Sequence, residues 1–170
     1  MDLRDGDIEL RPWTLDDVPA IVAACNDAEI QHWIPVIPRP YTEDDARAFV
    51  GGDVPVGTHQ FAITASERVV GSIGMKVNDF RTGHLGYWCA PDARGHGVTT
   101  RALRLLCNHA FEELELERLE LITDPDNRAS QRVAEKVGFQ REGVLRSHLL
   151  HPDGRRRDSL MFSLLPGELV

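Results

Sequence analysis

Long hydrophobic runs are missing. No stretch approaches the ~18 apolar residues that a membrane-spanning helix needs, so a membrane partner is not expected. Cysteine is scarce: Cys25, Cys89 and Cys107 are odd in number and widely spaced, which suits neither a disulfide framework nor a zinc site, and no metal is expected. They read as free thiols. Positive charge is short as well, with 19 Lys and Arg against 27 Asp and Glu and a net charge of −8. A nucleic-acid surface wants a basic stripe, so that partner is not expected either. An acidic chain does suit a cationic acceptor such as an amine. The opening residues Met1-Asp2-Leu3-Arg4-Asp5 are polar and acidic, unlike a secretory or transit leader, and the expected location is the cytoplasm. Repeats, low-complexity tracts and linkers are absent. The chain of 170 residues reads as one domain, 1–170, able to bury a core without staples.

What is present is a succession of periodic segments. Ile8 and Leu10 alternate with Glu9 and Arg11 as in a half-buried strand. A helix over about Leu15 to Ala24 fits best with Asp17 as its cap, because Pro19 then falls in the first turn. Gln31 to Tyr41 holds three prolines and two aromatics, Trp33 and Tyr41, and is read as irregular throughout. It is either a wall of a binding cleft, with Trp33 and Tyr41 as candidate substrate-binding residues, or a rigid connection. Thr42 with Asp45 is an approximate capping box for a helix that Gly51 and Gly52 end. Gln60–Ala65, Val69–Val77 and His84–Ala90 form a meander of strands. The period then turns helical from Val98, with Leu103, Leu106, Cys107, Ala110 and Leu114 on one stripe. A strand at Arg118–Thr123 leads to a helix opened by Asn127, with Ala129, Val133 and Val137 at i, i+4 spacing and Gly138 as its stop. Two strands, about Gly143–Leu150 and Arg156–Leu164, flank the hairpin signal Asp153-Gly154. Strands and helices alternate only in part, so the sheet is expected to be mixed, with helices packed on it.

Arg94-Gly95-His96-Gly97-Val98-Thr99 lies between a strand and an amphipathic helix. Free amides and the positive dipole end at a helix start favour a diphosphate, and glycine lets the backbone approach a ligand closely. A tight turn satisfies the same spacing. The loop lacks the Gly-Lys-Ser/Thr ending of a Walker A sequence, and a meander before it is not the start of a Rossmann unit.

Taken together, these segments resemble the GNAT superfamily of acyl-coenzyme A transferases, within it the ribosomal-protein N-terminal acetyltransferase-like (RimJ/RimL-type) group. The superfamily loop reads Gln/Arg-x-x-Gly-x-Gly/Ala: Arg94 and Gly97 match, and Thr99 departs from it. Leu85-Gly86-Tyr87-Trp88 looks like the strand that enters the loop, and Asn127 to Phe139 is very like the second coenzyme motif. Glu142 to Arg146, Asp153-Gly154 and Asp158 follow in the group's order. The resemblance implies an α+β (mixed α/β) GNAT fold, whose mostly antiparallel seven-stranded sheet splays in the middle and carries helices on both faces. It implies acetyl-coenzyme A as cosubstrate, with pantetheine against the backbone of Trp88, Cys89 and Ala90 and the diphosphate on the amides of Arg94, Gly95, His96, Gly97, Val98 and Thr99. A homodimer is frequent among similar proteins.

The implied reaction is attack of a neutral amine on a thioester. Asn127 and Ser130 share one face at a helix start, where spacing alone is met by an N-cap and an ordinary polar residue. The resemblance instead makes Ser130 the acid for the departing thiolate and Asn127 a residue that orients pantetheine. The tyrosine that many members use for that step is Ala134 here. His84 is the candidate base, with a surface histidine as the alternative, and an unbroken strand puts it on one face with Gly86 and Trp88. Asp158 is a second candidate that equally suits a structural contact. His148 and His151 make a poor metal pair, and Arg155-Arg156-Arg157 reads as a solvated tip or a contact to acid or phosphate groups. An α-amine, about 10% neutral at pH 7, needs a weaker base than a lysine. The expected reaction is therefore acetyl transfer to a protein N-terminus. A small-molecule amine (an antibiotic or a polyamine) and a noncatalytic coenzyme-binding domain are the alternatives.

Overall fold

A computed structural model describes residues 3–52 and 54–170. Its strands are β1 (Arg4–Asp5), β2 (Ile8–Arg11), β3 (Thr58–Ala65), β4 (Arg68–Val77), β5 (Thr82–Cys89), β6 (Arg118–Thr123), β7 (Gln140–Leu150) and β8 (Arg156–Leu164). They form one sheet in the order β1-β2-β3-β4-β5-β6-β8-β7. Neighbours are antiparallel except β5 and β6, so the mixed sheet is as expected. The eighth strand is β1, whose two residues are too few to show an alternation in sequence.

Five helices, α1 (Val18–Cys25), α2 (Ala28–Trp33), α3 (Glu43–Gly51), α4 (Val98–Glu112) and α5 (Arg128–Val137), flank the sheet. Asp17 occupies the N-cap position of α1, its carboxylate turned back to Arg11 and Thr14, and Pro19 sits in the first turn, where its missing N–H costs nothing. Arg11 clamps the Asp17 carboxylate with two bonds of 2.8 Å and holds its pKa below the usual range. The Thr42–Asp45 capping box starts α3, with the Thr42 N–H donating to Asp45 at 2.8 Å. Helix α2 corrects the reading of Gln31 to Tyr41 as wholly irregular. Asp27 accepts the Ile30 N–H at 3.0 Å and starts a helix that runs through Gln31, His32 and Trp33, so the irregular wall begins at Ile34.

The apolar stripe of α4 packs as expected: Leu103, Leu106, Cys107 and Ala110 are wholly buried against Ile73, Leu85, Leu119 and Phe162 of the sheet. The stripe of α5 corrects its reading. The buried face is Gln131, Ala134 and Val137, while Ala129 is exposed and Val133 only half-buried. A second cluster, Val18, Ile21, Cys25, Tyr41 and Ala46 with Trp13, Phe49 and Trp88 packed against it, joins α1 and α3 to the end of β5. Among the described residues no helix is long and apolar enough to cross a membrane.

Candidate active site

The site begins where two strands stop pairing. Parallel β5 and β6 are in register from Thr82↔Arg118 to Leu85↔Leu121 and no further. On its other edge β5 stays with β4 out to Gly71↔Cys89, with no bulge. From Gly86 to Cys89 the β6-facing edge of β5 therefore has no strand partner, and its backbone polar groups need one.

A cleft of about 560 Å³ opens at this split. One wall is β5 from Leu85 to Cys89, with Arg94, Gly95, Gly97, Val98 and Thr99; the other is the start of α5, with Asn127, Ser130 and Val133. Gly95 and Gly97 have φ of +79° and +76°, a left-handed backbone that favours glycine, and a Cβ on either would enter open space. The first helix-type bond of α4 is Arg101 N–H to the Gly97 carbonyl, so the preceding amides have no intrahelical acceptor. Glycine backbone, free amides and an unpaired strand edge fit a diphosphate joined to an extended amide-bearing arm, as in coenzyme A.

The expected loop residues divide in the structure. Arg94 puts its guanidinium on Asp27 and Glu29 at 2.6 Å each, and thereby ties the loop to the start of α2. Burial works against the Asp27 charge, but the Arg94 bond and backbone N–H donors keep its pKa low. His96 is exposed and turns its ring to the Arg94 carbonyl at 2.8 Å. The Ala90 N–H is taken by Val70 O at 2.9 Å, which leaves no amide there for a ligand. Val98 packs its side chain into the main core. Burial raises the Cys89 pKa, and the Thr99 hydroxyl beside it pulls the other way. Trp33 lines this cleft too.

A second cavity, about 640 Å³, lies on the opposite side of β5 beneath α1 and α3. Tyr41, Phe49, Ile21 and Ile37 supply walls, and β5 lines it from His84 to Trp88. β5 has no bulge here, and Leu85 and Tyr87 pack in the main core while Trp88 packs in the second cluster, as the strand period requires. Both cavities are lined by Gly86, Tyr87 and Trp88, so they meet where β5 leaves β6. Gly74 and Gly86 are direct cross-strand partners and form a bare patch of its floor.

Two contacts give this junction its chemistry. His84 Nδ1 lies 2.9 Å from Glu120 Oε2, its parallel partner on β6, and Glu120 also accepts from Arg118 at 2.7 Å. A carboxylate on Nδ1 leaves Nε2 as the ring's proton acceptor. The Asn78 side-chain amide lies 3.4 Å from Nε2. In the first cleft, the Tyr87 hydroxyl is 2.8 Å from Ser130 Oγ and 3.3 Å from the Ser130 carbonyl. Burial pushes the Tyr87 pKa up to about 12, so it holds its proton. Asn127 spends its side-chain oxygen on the Ser130 N–H at 3.0 Å, as an N-cap does, and keeps its side-chain NH2 for other partners.

Glu120 and Tyr87 were missed from the sequence. Parallel register is not written in β6, and Tyr87 stands out in the sequence only as part of the strand that enters the loop. Asp158 is a structural contact: it accepts the Ser147 N–H at 2.7 Å, where Ser147 has φ +53° in an irregular stretch of β7. Arg157 is no solvated tip. It lines the cleft and pairs with Asp124 in the turn before α5, with both side chains only 14% exposed. Arg155 does lie at the tip, on Asp153.

A family profile described as acetyltransferase (GNAT) domain matches residues 7–140. YdaF of Bacillus subtilis (strain 168) is 40% identical over 88 residues, 52% of this chain and 48% of YdaF, so the chain spans about half the length of that relative. The ribosomal-protein-serine acetyltransferase of Escherichia coli (strain K12) is 31% identical over 113 residues, 62% of each chain. The solved structure of Mycobacterium smegmatis RimJ in complex with CoA-disulfide matches with a TM-score of 0.83 at 27% identity, covering 95% of this chain and 83% of that one. The profile runs from β2 to the start of β7 and takes in the split with the helices on either side of it: the chain belongs to the acetyltransferase (GNAT) family.

Proposed function

We propose that the protein transfers an acetyl group from acetyl-coenzyme A to an amine, and that this amine is a protein N-terminal α-amine. The observation that carries the reading is the meeting of two cavities at Gly86, Tyr87 and Trp88, with Ser130 lining one and His84 the other. A two-substrate transfer needs its acid on the leaving-group side and its base on the nucleophile side. The E. coli relative named for a ribosomal-protein serine supports the acceptor class.

Acetyl-coenzyme A supplies a thioester whose carbonyl carbon takes the amine nitrogen and whose carbon–sulfur bond breaks. The free amides of Gly95, His96, Gly97 and Thr99 take the diphosphate at the positive end of α4. The unpaired edge of β5 at Trp88 and Cys89 takes the pantetheine amides, and the Asn127 NH2 adds a donor across the cleft. Arg132 and Lys136 line this cleft without an ion-pair partner among the described residues, and in a chain of net charge −8 they supply local positive charge for phosphate.

On the other side, His84 Nε2 accepts the proton that the amine loses, and Glu120 stabilises the imidazolium. Tyr87 donates its hydrogen to Ser130 Oγ, which turns the serine proton toward the sulfur. A thiol of pKa about 8.5 leaves with little help, so Ser130 contributes modestly. An α-amine is about 10% neutral at pH 7, within reach of an imidazole base.

Incubation with acetyl-coenzyme A and N-terminal peptides, read by free thiol and product mass, tests the reading. Coenzyme binding without acceptor-dependent thiol release across peptides and small amines would show a noncatalytic domain.

A further inference from the structure

We infer that the second cavity is built for an amine carried on an apolar group: in a polypeptide, a first residue with a side chain the size of Leu, Met or Phe. The same cavity turns polyamines away. The inference rests on the transferase reading above.

Size and polarity point the same way. About 640 Å³ is far more than a serine or alanine side chain fills, and Ile21, Ile37, Pro38, Phe49 and Met75 make much of the wall. The floor at Gly74 and Gly86 carries no side chains, so an acceptor's own carbon can lie flat on the sheet. Each methylene buried there raises affinity about fourfold.

Charge argues against a polyamine. Asp45 is the one carboxylate lining the cavity, and its Oδ2 already takes the N–H and hydroxyl of Thr42 at 2.8 and 2.6 Å. Lys76, the one lysine or arginine there, is exposed and has no ion-pair partner among the described residues. A second or third ammonium would leave water for an apolar wall and face a like charge, which costs more than one distant carboxylate returns. A single α-amine reacts in its neutral form beside His84 and brings no such charge.

The test is a peptide series identical except for a first residue of Ser, Ala, Met, Leu or Phe, with spermidine alongside. The readout is kcat/KM from acceptor-dependent thiol release, with product mass. The Leu or Phe peptide is expected to exceed the Ser peptide at least tenfold, with spermidine below both. Lys76→Glu, at an exposed position, is expected to raise the spermidine-to-Leu-peptide ratio at least fivefold. A preference for Ser or Ala, a preference for spermidine, or an unmoved ratio in Lys76→Glu overturns the inference and leaves the transferase standing. No acceptor-dependent thiol release with any of these peptides or with spermidine, while coenzyme still binds, removes the transferase reading and the inference with it.

Discussion

Removing one oxygen tests whether Tyr87 acts through Ser130. Tyr87→Phe keeps the ring in its packed position and deletes the hydroxyl that sits 2.8 Å from Ser130 Oγ. A net hydrogen bond of this kind is worth ~1 kcal/mol, or about fivefold in rate if the bond is needed at the transition state. Ser130→Ala is expected to cost about tenfold, because coenzyme A is a good leaving group. If the two side chains work independently, the double variant falls about fiftyfold; if Tyr87 works only by aiming the serine proton, it falls about tenfold, the same as Ser130→Ala. The assay is kcat from thiol release at saturating acetyl-coenzyme A, with coenzyme A affinity measured by calorimetry and expected to stay within about twofold for all three variants. Because the Tyr87 pKa lies up at about 12, the wild-type and Tyr87→Phe pH–rate profiles should have the same shape below pH 10. A multiplicative double variant, or a Tyr87→Phe enzyme at full speed, refutes the relay.

His84→Gln removes the proposed base and is expected to lower kcat/KM for an N-terminal peptide about a hundredfold at pH 7. Part of that loss should return at pH 9, where the α-amine is mostly neutral, and a pH-independent deficit would point to lost packing instead. Gly97→Ala puts a Cβ on a backbone with φ +76°, pointing into open space. A small drop in Tm is expected with an about tenfold loss of coenzyme A affinity, and unchanged affinity by calorimetry would move the diphosphate elsewhere. Glu142 is held by Arg118 and by Ser163, which bring its pKa from 4.5 down to about 2. Its folded pKa lies below the unfolded one, so its contribution to stability is present above pH 4.5 and is lost as pH falls toward 2. With Glu142 44% exposed, solvent screening keeps the effect small. Glu142→Gln should lower Tm by at most about 3 °C at pH 7, with the gap closing near pH 2.5 in thermal melts.

Much of this protein was legible from short range. A helix that starts at Val98 after two glycines, a cap at Asn127 and a stop at Gly138 are signals held within a few neighbouring residues, and all three stand in the structure. So does the alternation that puts His84, Gly86 and Trp88 on one face of β5, with Leu85 and Tyr87 turned to the main core. Errors arose where local signals competed. The prolines after Trp33 masked a helix that Asp27 had already capped, and the i, i+4 stripe at Ala129 and Val133 lines a cleft while Gln131 and Ala134 enter the core. Nothing local says which strand lies beside β5. That single parallel pairing brings Glu120 to His84, and its end at Leu85 opens the gap that Tyr87 and Ser130 span over 43 positions of chain. By itself the sequence determined the starts of α1, α3, α4 and α5, the strand faces and the glycine conformations, because these depend on the backbone and side chains of adjacent residues. Only the tertiary structure decided which carboxylate orients the histidine, which hydroxyl meets the serine and what the two cavities share, because those depend on where a parallel pair stops.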